Sequence, residues 1–233
     1  MPFKIDFHIH TYYSYDSLNK PAAIIKRAIK RGLDAIVVLD HESIKGGQET
    51  ACLDTEELLV IPAVEINTDI GDIVGLWVRE EITVREYHQV IAAIKVQGGL
   101  AMLPHPYHKH NLPEDICRHV DLVEINNARA MSERNRMAAE LASKHNMPAV
   151  SGSDAHFLWE IGNSYTIFED TPSTREELIA VILKGQRTQH IKYSNPIGII
   201  FGQLLKYWRH PEKLVQRIKK LFGMKTAREG QAT

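Results

Sequence analysis

The alternation of apolar and polar side chains predicts a first strand over Phe3–His10, with Phe3, Ile5, Phe7 and Ile9 on one face. Pro21 then opens a helical stretch in which Ala22, Ile25, Ile29 and Leu33 recur at helical spacing, with Gly32 near its end. Residues 34–39 form a continuous apolar run of the buried parallel type. A weaker helix is predicted over 48–57, and strands over 58–66 and 72–78. Thr83 is placed to cap a helix over 84–96, with Glu86 at its third position as in a capping box; Gly98 and Gly99 end it. Further strands are predicted over 100–103, 120–125, 149–151 and 165–168. Helices are predicted over 132–144, with Met137, Ala138 and Leu141 inward, and over 174–184. Such repeated strand-helix alternation argues for a parallel α/β architecture, either a barrel or an open sheet.

After Asn195 the pattern changes. Residues 197–208 are rich in apolar side chains, and Pro211 begins a second helix with Leu214, Val215, Ile218, Leu221 and Phe222 in one stripe and Gly223 at its stop. Its other face carries Lys213, Arg217, Lys219 and Lys220. A basic amphipathic helix can bind an anionic membrane or nucleic acid, but such helices usually cover a core, so packing on the barrel or a second subunit is expected. The chain therefore divides into an α/β unit over 1–194, a helical extension over 195–225 and a tail over 226–233 expected to be disordered.

Composition narrows the class. With 233 residues, 44% of them hydrophobic and 24% charged, the chain is long enough for one α/β barrel or two small domains and has ordinary globular usage. A formal net charge of −1 means that any basic surface must be local. Cys52 and Cys117 form no CxxC pair and fit thiols in a reducing compartment. No run reaches transmembrane length and no signal-like N-terminus is seen, so a cytoplasmic protein without a membrane span is expected.

Twelve histidines stand out. His8 and His10, two residues apart on one strand, point to the same face at its C-terminal end. His41 follows the 34–39 strand, Glu65 ends the 58–66 strand, His105 comes two residues after Leu103, and Asp154 and His156 follow the strand near Ala149. In a parallel barrel the C-terminal strand ends converge on one mouth. A lone histidine at a strand end is ordinarily packing or surface, but five strands delivering imidazole or carboxylate to one mouth point to metal ligation. Ligation without thiolate suits Zn²⁺, Mn²⁺ or Fe²⁺.

At this point the residues resemble a family. Phe7-His8-Ile9-His10-Thr11, Leu39-Asp40-His41, Val64-Glu65-Ile66, Leu103-Pro104-His105-Pro106 and Gly152-Ser153-Asp154-Ala155-His156 are similar, in order, to the motifs of the PHP (polymerase and histidinol phosphatase) family. The resemblance spans roughly residues 1–190. It implies a distorted (β/α)7, TIM-like barrel with a trinuclear site and mostly phosphoesterase activity. It also implies Asp16, in Ser14-Tyr15-Asp16, as a ligand. It places Asp72 at a position often occupied by histidine, a departure that bears on one metal. By resemblance, one metal takes His8, His10, Glu65 and Asp154, a second shares Glu65 and adds Asp72 and His105, and a third takes Asp16, His41 and His156, with Asp40 orienting a ligand. Nine ligands exceed what one ion takes and suit two or three divalent ions.

Arg129, in a segment that also resembles a family motif, is a candidate phosphate clamp, since guanidinium matches phosphate bidentately. The alternative is an arginine that bridges carboxylates. Arg134 reads as a solvated helix residue, and His108, Lys109 and His110 as a solvated loop. The expected activity is hydrolysis of a small phosphorylated metabolite or nucleotide by a metal-bound hydroxide. A nucleic-acid partner is compatible but not required, and the oligomeric state is open. The competing readings are an exonuclease acting on nucleic-acid ends, which salt-dependent affinity for single strands would favour, and a noncatalytic metal-stabilised module that binds a partner.

Overall fold

The computed structural model describes residues 2–53, 55–108, 110–212 and 214–215. Lys109, the basic face at Lys213, Arg217, Lys219 and Lys220, the stripe beyond Val215 and the tail over 226–233 lie outside the described residues. Among the described residues nine strands form one sheet: β1 (Phe3–His10), β2 (Ala35–Leu39), β3 (Leu59–Thr68), β4 (Gly71–Leu76), β5 (Leu100–Leu103), β6 (Leu122–Asn127), β7 (Ala149–Gly152), β8 (Ser164–Phe168) and β9 (Arg187–Ile191). Among the described residues six α-helices accompany them: α1 (Pro21–Lys30), α2 (Lys45–Ala51), α3 (Tyr87–Val96), α4 (Ser132–Lys144), α5 (Arg175–Lys184) and α6 (Pro196–Arg209).

The sheet order is β7-β6-β5-β4-β3-β2-β1-β8-β9. It curls so that its β7 edge meets β1. His10 N–H donates to Ala155 O at 3.0 Å and Ala155 N–H to His8 O at 3.1 Å. Side chains complete the seam: Asp6 Oδ1 accepts from Ser153 N, and Thr166 Oγ1 from Ser151 N. The result is the nearly closed, distorted barrel that the motif resemblance implied. Phe3, Ile5, Phe7, Val37, Leu39, Ile61, Met102, Leu122 and Phe168 fill its interior, and Leu178 and Ile182 of α5 close on them.

The barrel departs from uniform parallel alternation. β4 pairs antiparallel with both β3 and β5, and β8 and β9 are antiparallel additions beside β1. β9 escaped the sequence reading because Arg187, Thr188, Gln189 and His190 carry no apolar run; it is an edge strand held by pairing with β8. α3 begins at Tyr87, three residues later than predicted. Arg85 O accepts from Asp69 N–H, which keeps the preceding segment extended, and Glu86 becomes the cap, accepting from His88 N and Gln89 N. α2 lies at Lys45–Ala51 rather than over 48–57.

The register of β1 against β2 shifts between Asp6 and Ile9. Ile9 consequently leaves the face shared by Phe3, Ile5 and Phe7 and packs outside with Ile36, Val38 and Ile24 of α1. A bulge reverses the side-chain alternation downstream of it. Here that reversal turns His8 and His10 into the barrel mouth.

The close approach of β7 to β1 requires a residue without Cβ at Gly152: an added Cβ would lie 2.4 Å from His8 Cβ and 2.5 Å from Glu124 Oε1. Gly152→Ala is therefore expected to lower stability by about 1–3 kcal/mol through overpacking. Thermal denaturation checks this, and an unchanged melting temperature would show that the seam can relax.

Candidate metal centre

The strand ends deliver their polar side chains to one mouth. His8 and His10 come from β1, Glu65 from β3, His41 from just beyond β2, His105 from just beyond β5, and Asp154 and His156 from beyond β7. Asp16 descends from the loop after β1. Asp72 reaches the same end from the start of β4, because that strand runs against its neighbours. Among the described residues four groups of side chains have donor atoms within 4.8 Å of one another: His8, His10 and Glu65; His8, His105 and Asp154; His10, His41 and His156; and Asp72, His105 and His110. Asp16 joins the third through His156, 3.2 Å away, and His41, 3.5 Å away. Asp72 meets His105 and His110 and takes a 2.8 Å hydrogen bond from Asn67.

The hydrogen bonds around the imidazoles fix their tautomers. His8 Nδ1 sits 3.1 Å from Glu124 Oε1, which can only accept, so Nδ1 holds the proton and Nε2 presents a lone pair. Ser14 Oγ gives its one proton to Asp40 Oδ1 at 2.5 Å, so His10 Nδ1, 3.0 Å away, donates to that hydroxyl. His10 Nε2 is then also a lone pair, 3.1 Å from His8 Nε2. His156 Nδ1 donates to Asp154 O at 2.9 Å, leaving Nε2 to face the Asp16 carboxylate. Acceptors thus confront acceptors inside the protein. Asp16 Oδ1 and Glu65 Oε2 are buried without a hydrogen-bond donor among the described residues. A divalent cation satisfies this donor set; apolar packing does not.

A supporting layer holds the imidazoles. Glu124, fully buried on β6, accepts from His105 N at 2.8 Å and from Asn127 Nδ2 at 3.1 Å as well as from His8. A carboxylate inside the otherwise apolar 122–125 run was the available signal for it, and the sequence reading gave it no role. Asp40 acts through Ser14 rather than by touching an imidazole, and also accepts from Thr11 N and Thr11 Oγ1. Glu160 accepts from His156 N and Phe157 N. His105 and Asp154 both adopt positive φ, 28° and 52°, a strained backbone that persists only where surrounding bonds over-determine it.

The mouth opens as a cavity of about 170 Å³ lined by His41, Asp72, His105, Asn127, Asp154 and His156, with Arg129 on one wall and Ile199, Gln203 and Lys206 of α6 on another. A larger cleft of about 580 Å³ lies at the opposite barrel end, near Phe3, Asp34, Trp77 and Arg175, and has no comparable set of converging ligands among the described residues. Arg129 lines the mouth and also lies 3.8 Å from the buried Glu160 carboxylate, so it combines the two positions between which the sequence left a choice. Arg134 is not merely solvated: it contacts His108 Nδ1 at 2.8 Å. His110 departs from the surface loop expected of it, accepting from Asp72 N at 2.8 Å.

Electrostatics follow from this crowding. Burial opposes a charge on His8, but Glu124, Asp154 and Glu65 outweigh it and raise its pKa to about 10. Burial likewise opposes a charge on His105, yet Glu65 and Glu124 raise it to about 9. Burial, followed by the neighbouring His156, lowers His10 to about 3. Burial works against ionised Asp16, Glu65 and Asp154, but the surrounding imidazoles hold all three well below the usual carboxylate range.

With no cation bound, His8 and His105 thus hold protons that the unfolded chain releases near 6.5. Their stabilisation is complete below that pH and is lost as pH rises through about 9 and 10. The chelator-stripped protein is expected to melt at progressively lower temperature above pH 6.5, and the cation-loaded protein, whose ligands have already released those protons, to stay level. Parallel melting curves check this; identical pH profiles with and without chelator would contradict it.

Residues 132–187 match the PHP-associated family, PHP_C. An uncharacterized protein of Methanocaldococcus jannaschii is 33% identical over 179 residues, covering 72% of this chain and 71% of its own. The fold is shared with PsfC of Pseudomonas syringae (TM-score 0.66, 16% identity, 88% of this chain and 98% of that one). It is also shared with a candidate metal-dependent phosphoesterase of Bifidobacterium adolescentis (TM-score 0.55, 16% identity, 65% of this chain and 87% of that one). With its ordered motifs gathered at the mouth of such a barrel, the chain belongs to the PHP family.

Proposed function

We propose that the protein is a metal-dependent phosphoesterase that hydrolyses a small phosphorylated metabolite or nucleotide. The observation that carries this reading is the juxtaposition, in one small cavity, of a cation-demanding donor set and two fixed cations, Arg129 and Lys206. His8, His10, Asp16, His41, Glu65, Asp72, His105, Asp154 and His156 would hold two or three divalent ions, with Glu65 shared. Bound Zn²⁺, Mn²⁺ or Fe²⁺ would supply Lewis acidity toward phosphoryl oxygens and lower the pKa of water. Arg129 presents guanidinium N–H groups to the nonbridging oxygens. Lys206 Nζ, 4.8 Å from the centre of the Tyr15 ring, adds charge from the α6 side. Ile199 and Tyr15 limit water and substrate bulk, and a cavity of about 170 Å³ suits a phosphate with a small substituent better than a polymer end.

The deciding experiment is a phosphoester panel run with Mn²⁺, Zn²⁺ and Fe²⁺. Turnover of small monoesters or nucleotides supports the reading. Retained metal with no hydrolysis across the panel would favour a noncatalytic module.

Two further outcomes are expected. Elemental analysis of the reconstituted protein should give two or three ions per chain, and at most one would exclude a polynuclear site. His10→Ala should abolish turnover in a folded protein, since His10 faces two of the ligand groups.

Arg129→Ala should cut kcat/KM by about 10- to 100-fold and weaken inhibition by inorganic phosphate with metal content unchanged. A charge-assisted contact contributes about 1.5–3 kcal/mol, at 1.36 kcal/mol per decade. Arg129→Lys should restore only part of this, because it keeps the charge but loses the fork. If Arg129 served only Glu160, the melting temperature would fall while kinetics and phosphate inhibition in the folded fraction stayed the same.

A further inference from the structure

Of the four groups of converging side chains among the described residues, one includes an imidazole beyond the nine ligands proposed for the centre. In it, ligand atoms of Asp72, His105 and His110 lie within 4.8 Å of one another. His110 arrives from the loop after β5, and its seat is built. Asn111 N–H donates to Ile70 O at 2.8 Å, which fastens that loop to the turn between β3 and β4. The imidazole rests on Gly71, whose φ is 126°. An added Cβ at Gly71 would collide with His110 Cδ2 and lie 2.7 Å from its Nε2. Only glycine both adopts that backbone conformation readily and leaves room for the ring.

The two ring nitrogens of His110 differ in their surroundings. Nε2 lies 2.8 Å from Asp72 N and 3.2 Å from Asp72 O. The amide only donates and the carbonyl only accepts, so Nε2 has a partner in either tautomer. Nδ1 is buried and has no hydrogen-bond partner among the described residues. An unpartnered nitrogen in such surroundings is costly. We propose that His110 is a further metal ligand, holding through Nδ1 the ion that Asp72 and His105 also hold. Two imidazoles and a carboxylate suit Zn²⁺, Mn²⁺ or Fe²⁺. With Glu65, whose Oε1 is 3.1 Å from His105 Nε2, His110 raises the protein ligands of that ion from three to four. The ligating tautomer carries its proton on Nε2 and donates it to Asp72 O, the kind of backbone partner that a metal-bound imidazole ordinarily keeps. Without a cation, Nε2 accepts from Asp72 N–H instead. The proposal rests on the polynuclear centre and not on the choice of substrate.

The test is calorimetric titration of the chelator-stripped full chain with Zn²⁺ and with Mn²⁺, followed by elemental analysis of the loaded protein after gel filtration. His110→Ala should weaken one class of site by about tenfold or more and lower the retained metal by about one ion per chain. His110→Asp should recover part of that affinity, since a carboxylate still ligates. His110→Asn separates ligation from support. Its side-chain oxygen can accept from Asp72 N–H and so keep the start of β4 in place, but an amide is a poor ligand for these ions. This variant should lose the same ion as His110→Ala, while its stripped form melts with the stripped parent. The proposal is overturned if His110→Asn binds metal with the affinity and stoichiometry of the parent, the result for a residue that only holds β4. A parent chain that binds no cation would overturn both this proposal and the metal centre. Loss of one ion in His110→Asn supports the proposal even if no phosphoester is turned over, so its failure and that of the proposed activity are told apart.

Discussion

The molecule is organised around a conflict of like groups: lone pairs of buried imidazoles and oxygens of buried carboxylates face one another at distances where one of each pair should be a donor. His8 and His10 meet Nε2 to Nε2 at 3.1 Å, and His156 Nε2 meets Asp16 Oδ1 at 3.2 Å. Water cannot relieve this for fully buried His8 and His10, and unpaired polar groups in such surroundings are costly. Protons or cations must occupy the space between. The raised basicity of His8 and His105 and the depressed basicity of His10 are two solutions of the same problem in the absence of a cation.

The irregularities of the barrel serve this cluster. The register shift in β1 turns His8 and His10 inward, where an unbroken strand would have carried them to the face of Asp6. The reversal of β4 brings Asp72, at the start of a strand, to the end where the parallel strands β1, β2, β3, β5, β6 and β7 finish. Gly152 lets β7 come within van der Waals reach of His8 and Glu124, and positive φ at His105 and Asp154 aims their side chains into the mouth. Regular secondary structure supplies the platform; departures from it aim the ligands.

Strand ends were legible in the sequence because buried parallel strands are short apolar runs, and the residues just after such runs share one location. This was enough to collect His41, Glu65, His105, Asp154 and His156 without any contact information. Asp16 and Asp72 could not be found that way, since one lies in a loop and the other begins a reversed strand; only motif resemblance supplied them. Glu124 and the Asp40–Ser14 pair went unseen in their true roles because hydrogen bonding across the barrel leaves no periodic trace. His8 and His10 were placed correctly together, yet the same alternation argument put Ile9 on the wrong face, since a bulge is invisible to a period of two. Strand direction failed similarly at β4 and β8, because an apolar run carries no arrow.

α6 shows why amphipathicity alone does not say which face is inside. The stripe in residues 197–208 would have predicted packing on the barrel, but the barrel mouth is polar and already filled by Arg129, Glu160 and the loop of Ser14 to Ser17. Only a thin, hydrogen-bonding helix side fits there. Glycine at 198 and 202 provides the close approach, and Gln203 and Lys206 provide groups compatible with a charged cavity. The large apolar residues are turned outward by exclusion rather than by attraction to water. Their exposure then follows from the same requirement that shapes the centre beneath: a site built from buried charge tolerates at its rim only polar or very small neighbours, and whatever apolar surface the covering helix carries has to be satisfied on its far side.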